Sequence, residues 1–409
     1  MPGKTRIVIG GVDTHKDLHV AAVIDATGRI VDTAAFAATT AGYRKLIAWM
    51  RGFGQVAKVG VEGTGAYGAG LARHLSAEGV CVVEVNRPNR AVRRRRGKSD
   101  TVDAEAAARA ALNGEATVVP KSQAGIVESI RVLRVAFCSA RDSRTRVSNQ
   151  IRDLVVTAPD GLRAELGALG SAERAERVAG FRPSGDPAEP LEGLRVALRA
   201  LGRRYVALSE EMAALEATID TLTARANPAL RGVKGVGPDT AAILLVAAGD
   251  NPTRLTSDSA FAALCGASPI EASSGKTTRH RLNRGGNRQA NHALWRIVMV
   301  RLTCDPATKT YAARRRAEGK TDRDIMRCLK RYVAREVYRH LVAPQAVPDG
   351  ANLRIARVAA GLTLAQVAAQ LGAPIMTISR LERGALYNTD LARRLEHLLA
   401  TRTAAQDAA

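Results

Sequence analysis

The chain's 409 residues are enough for roughly two to four domains with cores of their own. Only 3% of residues are aromatic, so those cores must be built mostly from Ala, Val, Leu and Ile, and 61 Lys and Arg against 39 Asp and Glu leave a formal net charge of +22. That excess of cations fits a polyanionic partner; genomic base bias would account for Arg over Lys but not for cations over anions. Five scattered cysteines (Cys81, Cys138, Cys265, Cys304, Cys328), without close pairs or a His-Glu-x-x-His helix, argue against a disulfide framework and a zinc site. The N-terminal MPGKTRIVIGGVDTHK lacks a signal-like apolar core, and no apolar run is long enough to span a bilayer. A cytoplasmic protein with no membrane partner is expected.

Arg6 to Val12, Leu18 to Asp25 and Arg29 to Phe36 read as three strands, the last two joined by the turn sequence DATGR. Ala41 to Arg51 reads as a helix, Val56 to Val61 as a buried strand, and Ala66 to Ala77 as a helix capped near Gly79. Val80 to Val85 is a further strand, and Thr101 to Leu112 a helix with Ser99 or Asp100 as its cap and Gly114 near its end. Three antiparallel-looking strands followed by α and β alternation predict an α/β sheet domain over residues 1–120. Strand signals then vanish. Ile126 to Val156 and Leu194 to Ala224 carry helical apolar spacing, and the break RPSGDPAEP (Arg182 to Pro190) lies between them. A long antiparallel helical arm, a spacer or dimerisation element, is expected over 121–226. Residues 227–342 read as a helix-rich basic domain, 343–350 (APQAVPDG) as a linker, and 351–409 as a small helical module.

The stretch KSDTVDAEAA places Asp100 and Asp103 three apart on one helix, directly after Arg93, Arg94, Arg95, Arg96 and Lys98. Their β-carbons should lie about 5–6 Å apart. Two ionised carboxylates that close repel unless a cation sits between them, and Mg²⁺ or Mn²⁺ suits hard carboxylate oxygens. Asp13 ends the apolar run RIVIGGVD and Glu62 ends VAKVGVE, both at strand ends, where α/β sites tend to form. A central first strand with the Glu62 strand beside it and the Asp100 helix packed across would gather Asp13, Glu62, Asp100 and Asp103 into one metal pocket. Each acid alone reads better as a helix cap, a turn residue or a surface charge; the set, in that order and context, is much harder to reach by chance.

GVDTHKDLHVAAV, VGVEGTGAYG and KSDTVDAEAAA resemble the RuvC-like (RNase-H-like) N-terminal domain of the DEDD transposases of the IS110 insertion-sequence family. That family includes bridge-RNA-guided recombinases and is related to Piv-type DNA invertases. The resemblance runs from about residue 6 to 342. It implies that Asp13, Glu62, Asp100 and Asp103 bind a pair of Mg²⁺ or Mn²⁺ ions. It also implies DNA as substrate, a noncoding bridge RNA as partner, and a composite site shared between subunits of a dimer, or of a tetramer during strand exchange.

The second informative stretch is CGASPIEASSGKTTRHRLNRGGNRQAN (Cys265 to Asn291). Its SGKTT resembles the end of a phosphate-binding P-loop. Ile270 stands where that loop needs glycine, and no strand run leads in, so ATP binding is set aside. Ser273 and Ser274 are followed by Lys276, Arg279, Arg281, Arg284 and Arg288. By default such a loop binds DNA phosphates. A hydroxyl among guanidinium groups also has what phosphoryl transfer needs, because cations offset charge developing on the equatorial oxygens. RGVKGVGPDTAAILL, FAALCGASP and SSGKTTRHRLNRGGNRQANHAL resemble the family's C-terminal transposase domain. There the serine before a glycine is the nucleophile that forms a phosphoserine bond with DNA. That position is Ser274, with Ser273 one register away. Gly232 to Gly237 (GVKGVG) resembles a helix-hairpin-helix backbone binder and equally a plain glycine turn.

In the tail, LTLAQVAAQLGAPIMTISRLERG resembles the helix-turn-helix of Cro/C1-type repressors. Leu364 to Leu371 would support a recognition helix, Ile375 to Leu381, whose Thr377, Ser379 and Arg380 would face the major groove. The alternative is a small interaction module. Taken together, these features lead to a DNA transposase or recombinase working through a covalent phosphoserine. The rivals are a RuvC-like metal-dependent nuclease using water, a Piv-type invertase without RNA, a non-enzymatic DNA-binding regulator and, last, an actin-like ATPase suggested only by GGVDTH.

Overall fold

The computed structural model describes residues 6–85, 99–277, 280–344 and 346–407. Two compact units emerge, Met1–Gly125 with Ala248–Thr256, and Ile126–Ala247 with Ser257–Ala409.

The first unit is a five-stranded mixed sheet with helices. Strands β1 (Ile7–Thr14), β2 (Leu18–Asp25) and β3 (Ile30–Ala37) form an antiparallel meander. Helix α1 (Thr40–Gly52) follows, capped by the Thr39 side chain, then β4 (Gln55–Glu62), α2 (Ala69–Ala77), β5 (Val82–Val85) and α3 (Asp100–Leu112). The sheet order is β3-β2-β1-β4-β5, with β4 parallel to β1 and β5 parallel to β4. This is the mixed α/β arrangement expected of an RNase-H-like domain. β1 is central and buried from Val8 to Thr14, which explains why its sequence is an apolar run rather than an alternating one. One face of the sheet packs Val8, Val12, Val59 and Val61 against Leu46, Met50, Leu71 and Leu75 of α1 and α2. The other packs Ile9, Ile24, Val83 and Val85 against the alanines of α3.

Those alanines sit over glycines. A β-carbon on Gly11 would lie 2.2 Å from the Ala104 carbonyl oxygen, and one on Gly60 would lie 2.5 Å from that of Ala107. The helix backbone therefore rests almost directly on the sheet backbone, and this small-on-small packing holds the first turn of α3 over the ends of β1 and β4. In the turn after β4, Gly68 approaches the Glu62 carbonyl so closely that a β-carbon there would lie 2.7 Å from its oxygen. Helix α2 accordingly starts three residues later than the sequence pattern suggests.

The second unit is almost entirely helical. Helices α4 (Ile126–Val156) and α7 (Pro190–Ala226) run antiparallel: Arg144 lies over the Tyr205 ring, while Val155, at the far end of α4, clusters with Leu198. The expected arm thus has its two long helices. It also has two short ones that the periodicity did not reveal, α5 (Asp160–Gly167) and α6 (Ser171–Ala179). Leu166, Ala175 and Val178 from these close the core against α7, so the arm is thickened at one end rather than a bare helical pair.

After α7 come α8 (Pro228–Arg231), α9 (Pro238–Ala248) and α10 (Asp258–Leu264). A small hairpin, β6 (Ile270–Glu271) and β7 (His280–Arg281), precedes α11 (Arg288–Cys304), α12 (Pro306–Ala317) and α13 (Asp322–Val342). The Gly232 to Gly237 segment is the turn between α8 and α9. The tail holds α14 (Gly350–Ala359), α15 (Leu364–Leu371), α16 (Ile375–Glu382) and α17 (Thr389–Asp407). Its own core is built from Leu353, Val367, Leu371, Ile378, Leu381 and Leu395. The tail is not a loose appendage within this unit, because Tyr387 stacks beneath the buried Arg231 guanidinium, 4.8 Å from ring centroid to Cζ. Among the described residues no helix is long and apolar enough to cross a membrane.

Candidate metal centre

The site forms where β1 and β4 end and α3 begins. The last parallel pair between the two strands is Val12 with Val61, so Asp13 and Glu62 are each the next residue on adjacent central strands. Thr14 Oγ1 donates to the Glu62 carbonyl oxygen at 2.9 Å and ties the two strand ends together. From the opposite side, the Ser99 side chain accepts from Val102 N and starts α3, placing Asp100 and Asp103 in its first turn. Of the two caps the sequence allowed, Ser99 is the one observed. Acids in a first helical turn also gain from the helix dipole.

Three side chains converge. His15 Nε2 lies 3.2 Å from Asp13 Oδ2 and 3.4 Å from Asp100 Oδ1. Asp13, His15 and Asp100 each offer a ligand atom, all within 4.8 Å of one another. Asp13 and Asp103 are buried, Glu62 is half-buried, and His15 and Asp100 are exposed. Burial pushes the Asp13 carboxyl above the ordinary carboxylate range; nearby His15 opposes that rise, while the like charges of Asp103 and Asp100 add to it. Asp13 is thus a carboxylate short of positive charge, in a group of acids gathered at the ends of two central strands. The donor set, carboxylate oxygens with one imidazole nitrogen, suits a hard to borderline divalent cation such as Mg²⁺ or Mn²⁺.

His15 is the member that sequence reasoning missed. The available signal was its spacing: two residues after Asp13 along an extended segment, the same face is presented again. Arg93, Arg94, Arg95, Arg96 and Lys98 lie outside the described residues, as does Arg279.

The serine stretch is a hairpin in the second unit. Ile270 pairs with Arg281 and Glu271 with His280, and the same register continues to Ser274 and Thr277, whose backbones exchange hydrogen bonds of 3.1 Å in both directions. Gly275 and Lys276 form the tip, with Gly275 at φ 55°, the left-handed conformation a two-residue hairpin turn requires. Ser273, Ser274, Lys276, Arg281, Arg284 and Arg288 are all exposed. The hairpin base borders a cavity of about 620 Å³ whose walls include Arg281, Arg327, Arg331 and Arg335.

In the tail, α15 ends at Gly372, which is in the left-handed conformation, and α16 follows. Arg380 is exposed, but Thr377 and Ser379 are half-buried because they flank Ile378, which is fully in the core. The more open residues of α16 are Ile375 and Met376.

A family model for IS110-type DEDD transposases matches residues 10–158. A second, described as "Transposase IS116/IS110/IS902 family", matches residues 227–313, and together the two span more than half of the chain. The chain belongs to the IS110 family of transposases. Asp13, Glu62, Asp100 and Asp103 fall within the first match and Ser274 within the second, whereas the tail from residue 351 lies beyond both. A curated IS110 relative, "Insertion element IS110 uncharacterized 43.6 kDa protein" of Streptomyces coelicolor, is 37% identical over 131 residues. That similarity covers 31% of this chain and 32% of the relative, about a third of its length.

Proposed function

We propose that this chain is a DNA transposase or recombinase that breaks and rejoins phosphodiester bonds with divalent cations held by Asp13, Glu62, Asp100 and Asp103 and with Ser274 as nucleophile. The observation that carries the reading is the convergence of Asp13, His15 and Asp100 at the end of β1, with Asp103 buried beside them and Glu62 on the neighbouring strand end. Repulsion among these acids is relieved by a cation, and Mg²⁺ or Mn²⁺ bound there would polarise a scissile phosphate. The acids orient it, and burial of Asp13 and Asp103 keeps them aligned. Ser274 Oγ attacks phosphorus and gives up its proton as the new P–O bond forms. The bond to the leaving deoxyribose oxygen breaks, and that oxygen takes up a proton. One phosphodiester replaces another, so rejoining by a DNA hydroxyl needs no ATP. Lys276, Arg281, Arg284 and Arg288 bind flanking phosphates. Guidance by a noncoding bridge RNA, and dimers or tetramers that complete the site, belong to the same reading; they are supported by the family likeness and by the net charge of +22. The tail would add a Cro/C1-type contact to DNA through Arg380 and its neighbours.

A second reading, a RuvC-like nuclease in which water attacks, is favoured by one observation: the acidic group lies within a compact unit that does not include Ser274. One experiment separates them. The purified chain is incubated with Mg²⁺ or Mn²⁺ and DNA carrying the flanks of its own gene, then denatured and assayed for protein-linked DNA. Ser274→Ala should lower adduct formation about a thousand-fold or more while Ser273→Ala keeps it, and Asp100→Asn should lose both adduct and cutting. Cutting that survives in Ser274→Ala would transfer the chain to the water-attack reading. Absence of any adduct with the unaltered protein would end the serine mechanism.

A further inference from the structure

Aromatic side chains are scarce here, and only two are tryptophans. Trp49 packs between Phe36 and Phe53 and donates to Asp32 Oδ2 at 3.3 Å. Trp295 does the opposite. It is 40% exposed on α11, and His292, one turn earlier on the same face, stacks against it with ring centroids 5.4 Å apart and planes 29° from parallel. A large ring left in solvent, in a chain so short of rings, calls for a partner.

The surroundings say which kind. Trp295 and His292 line a pocket of about 370 Å³, together with Arg284, Arg288, Asn291 and Lys330. Arg284 and Arg288 are exposed and pair with no carboxylate among the described residues. Lys330 is 91% buried, since only 9% of its surface is exposed, yet no carboxylate meets it among the described residues; its ammonium donates to Asn291 Oδ1 at 2.9 Å. Asn291 is held in turn, its amide donating to the Cys265 carbonyl at 2.8 Å and to that of Gly266 at 3.2 Å. Burial makes the Lys330 ammonium easier to deprotonate than an ordinary lysine, the mark of a cation lacking its anion. A flat aromatic face, a fixed buried ammonium at the pocket wall and two free guanidinium groups at the rim fit a nucleotide: a base to stack and phosphates to neutralise.

We propose that this pocket captures an unstacked nucleotide of a single DNA strand, with the base against Trp295 and flanking phosphates on Lys330, Arg284 and Arg288. The strand is DNA because the pocket wall from Leu282 to Arg288 continues directly from β7 of the hairpin that carries Ser274. The inference rests on the transposase reading and specifies how the strand is held next to that hairpin. A base can enter only where the duplex is open, so the pocket selects frayed or unpaired DNA over intact duplex.

The two tryptophans make the test direct. In the full-length Trp49→Phe chain, Trp295 is the sole tryptophan; should that variant fail to fold, the difference between the unaltered chain and Trp295→Phe reads the same signal. Titration with a short oligothymidylate should quench the emission, whereas an abasic oligomer of equal length should bind through its phosphates without quenching. Trp295→Ala should weaken oligothymidylate binding about 5- to 150-fold while leaving duplex binding in place, and Lys330→Gln should weaken both single-stranded ligands. Binding of oligothymidylate without quenching would overturn the proposal. So would equal quenching by the abasic strand, tighter binding of oligouridylate RNA, or emission that changes with protein concentration alone as dimers form through α11. Failure of duplex DNA to bind at all would instead sink the transposase reading.

Discussion

Asp13 shows how one residue can carry opposite instructions. It follows the buried apolar run Val8 to Val12 near the end of β1, yet it faces two further aspartates. Without a cation its charge is unfavourable to the fold, since its carboxyl is held above the ordinary range; that cost is absent below the ordinary carboxylate value, builds as pH rises from there to the elevated value, and is constant above it. Asp13→Asn should therefore raise the melting temperature of the chelator-treated protein at neutral pH. It should also remove most of the stabilisation that Mn²⁺ or Mg²⁺ confers on the unaltered chain, read by thermal denaturation with and without the ion. Equal stabilisation of variant and parent by the ion would mean that the cation binds elsewhere. Of the four acids that sequence reading singled out at two strand ends and in a helix's first turn, the structure brings Asp13 and Asp100 into one group of ligand atoms; Glu62 and Asp103 are not members of that group. His15 was not legible, because a lone histidine after a strand reads equally as a turn residue until its imidazole is seen between two carboxylates.

Helix termini and the contacts that join helices decide matters at the scale of the element. Asp305 caps α12, accepting from Thr308 N and Thr308 Oγ1, and also accepts from Lys234 Nζ at 2.9 Å. The hydrogen bonds from Lys234 and Thr308 hold its carboxyl well below the usual range. Its contribution is present above the unfolded carboxylate value of about 4 and is lost as pH falls below it. Asp305→Ala should cost about 0.5–2 kcal/mol at neutral pH, and the difference from the unaltered chain should narrow in acid, as followed by urea unfolding at several pH values. In the tail, the Arg357 guanidinium meets Glu382 through two bonds of 2.6 and 2.9 Å and donates to the Leu362 carbonyl, all buried. Glu382→Gln leaves a buried guanidinium uncompensated and should destabilise the tail by about 3–5 kcal/mol, seen as loss of amide protection in α14 to α16 before the rest of the chain. Periodicity revealed the long helices because their apolar faces repeat over many turns. It missed α5 and α6 because eight or nine residues give too few repeats to stand out from a polar loop.

For the molecule as a whole, the dominant fact is the charge of +22. If its cations serve nucleic-acid phosphates, log Kd for DNA must depend steeply on log salt. Between roughly 50 and 200 mM salt, affinity for duplex DNA should fall about a thousand-fold or more, measured by fluorescence anisotropy on the intact chain. A flat dependence would remove the polyanion argument. At this scale the structure also regrouped what composition had parcelled out. Residues 248–256, read as part of the basic domain, pack with the sheet unit. The arm, the basic domain and the tail form one helical unit, in which Tyr387 of the tail lies under Arg231.

The residue types and their order along the chain were enough to determine the strands and the long helices and to single out four acids and a basic serine stretch as candidates, because local pattern and side-chain chemistry are properties of short segments. Tertiary structure alone decided which side chains meet. The alanines of α3 rest on Gly11 and Gly60, which carries Asp100 to Asp13 and His15. Asn291 fixes Lys330 beside Trp295 across 39 residues of chain. Such meetings depend on close packing between segments remote in sequence, and no periodicity within either segment encodes them.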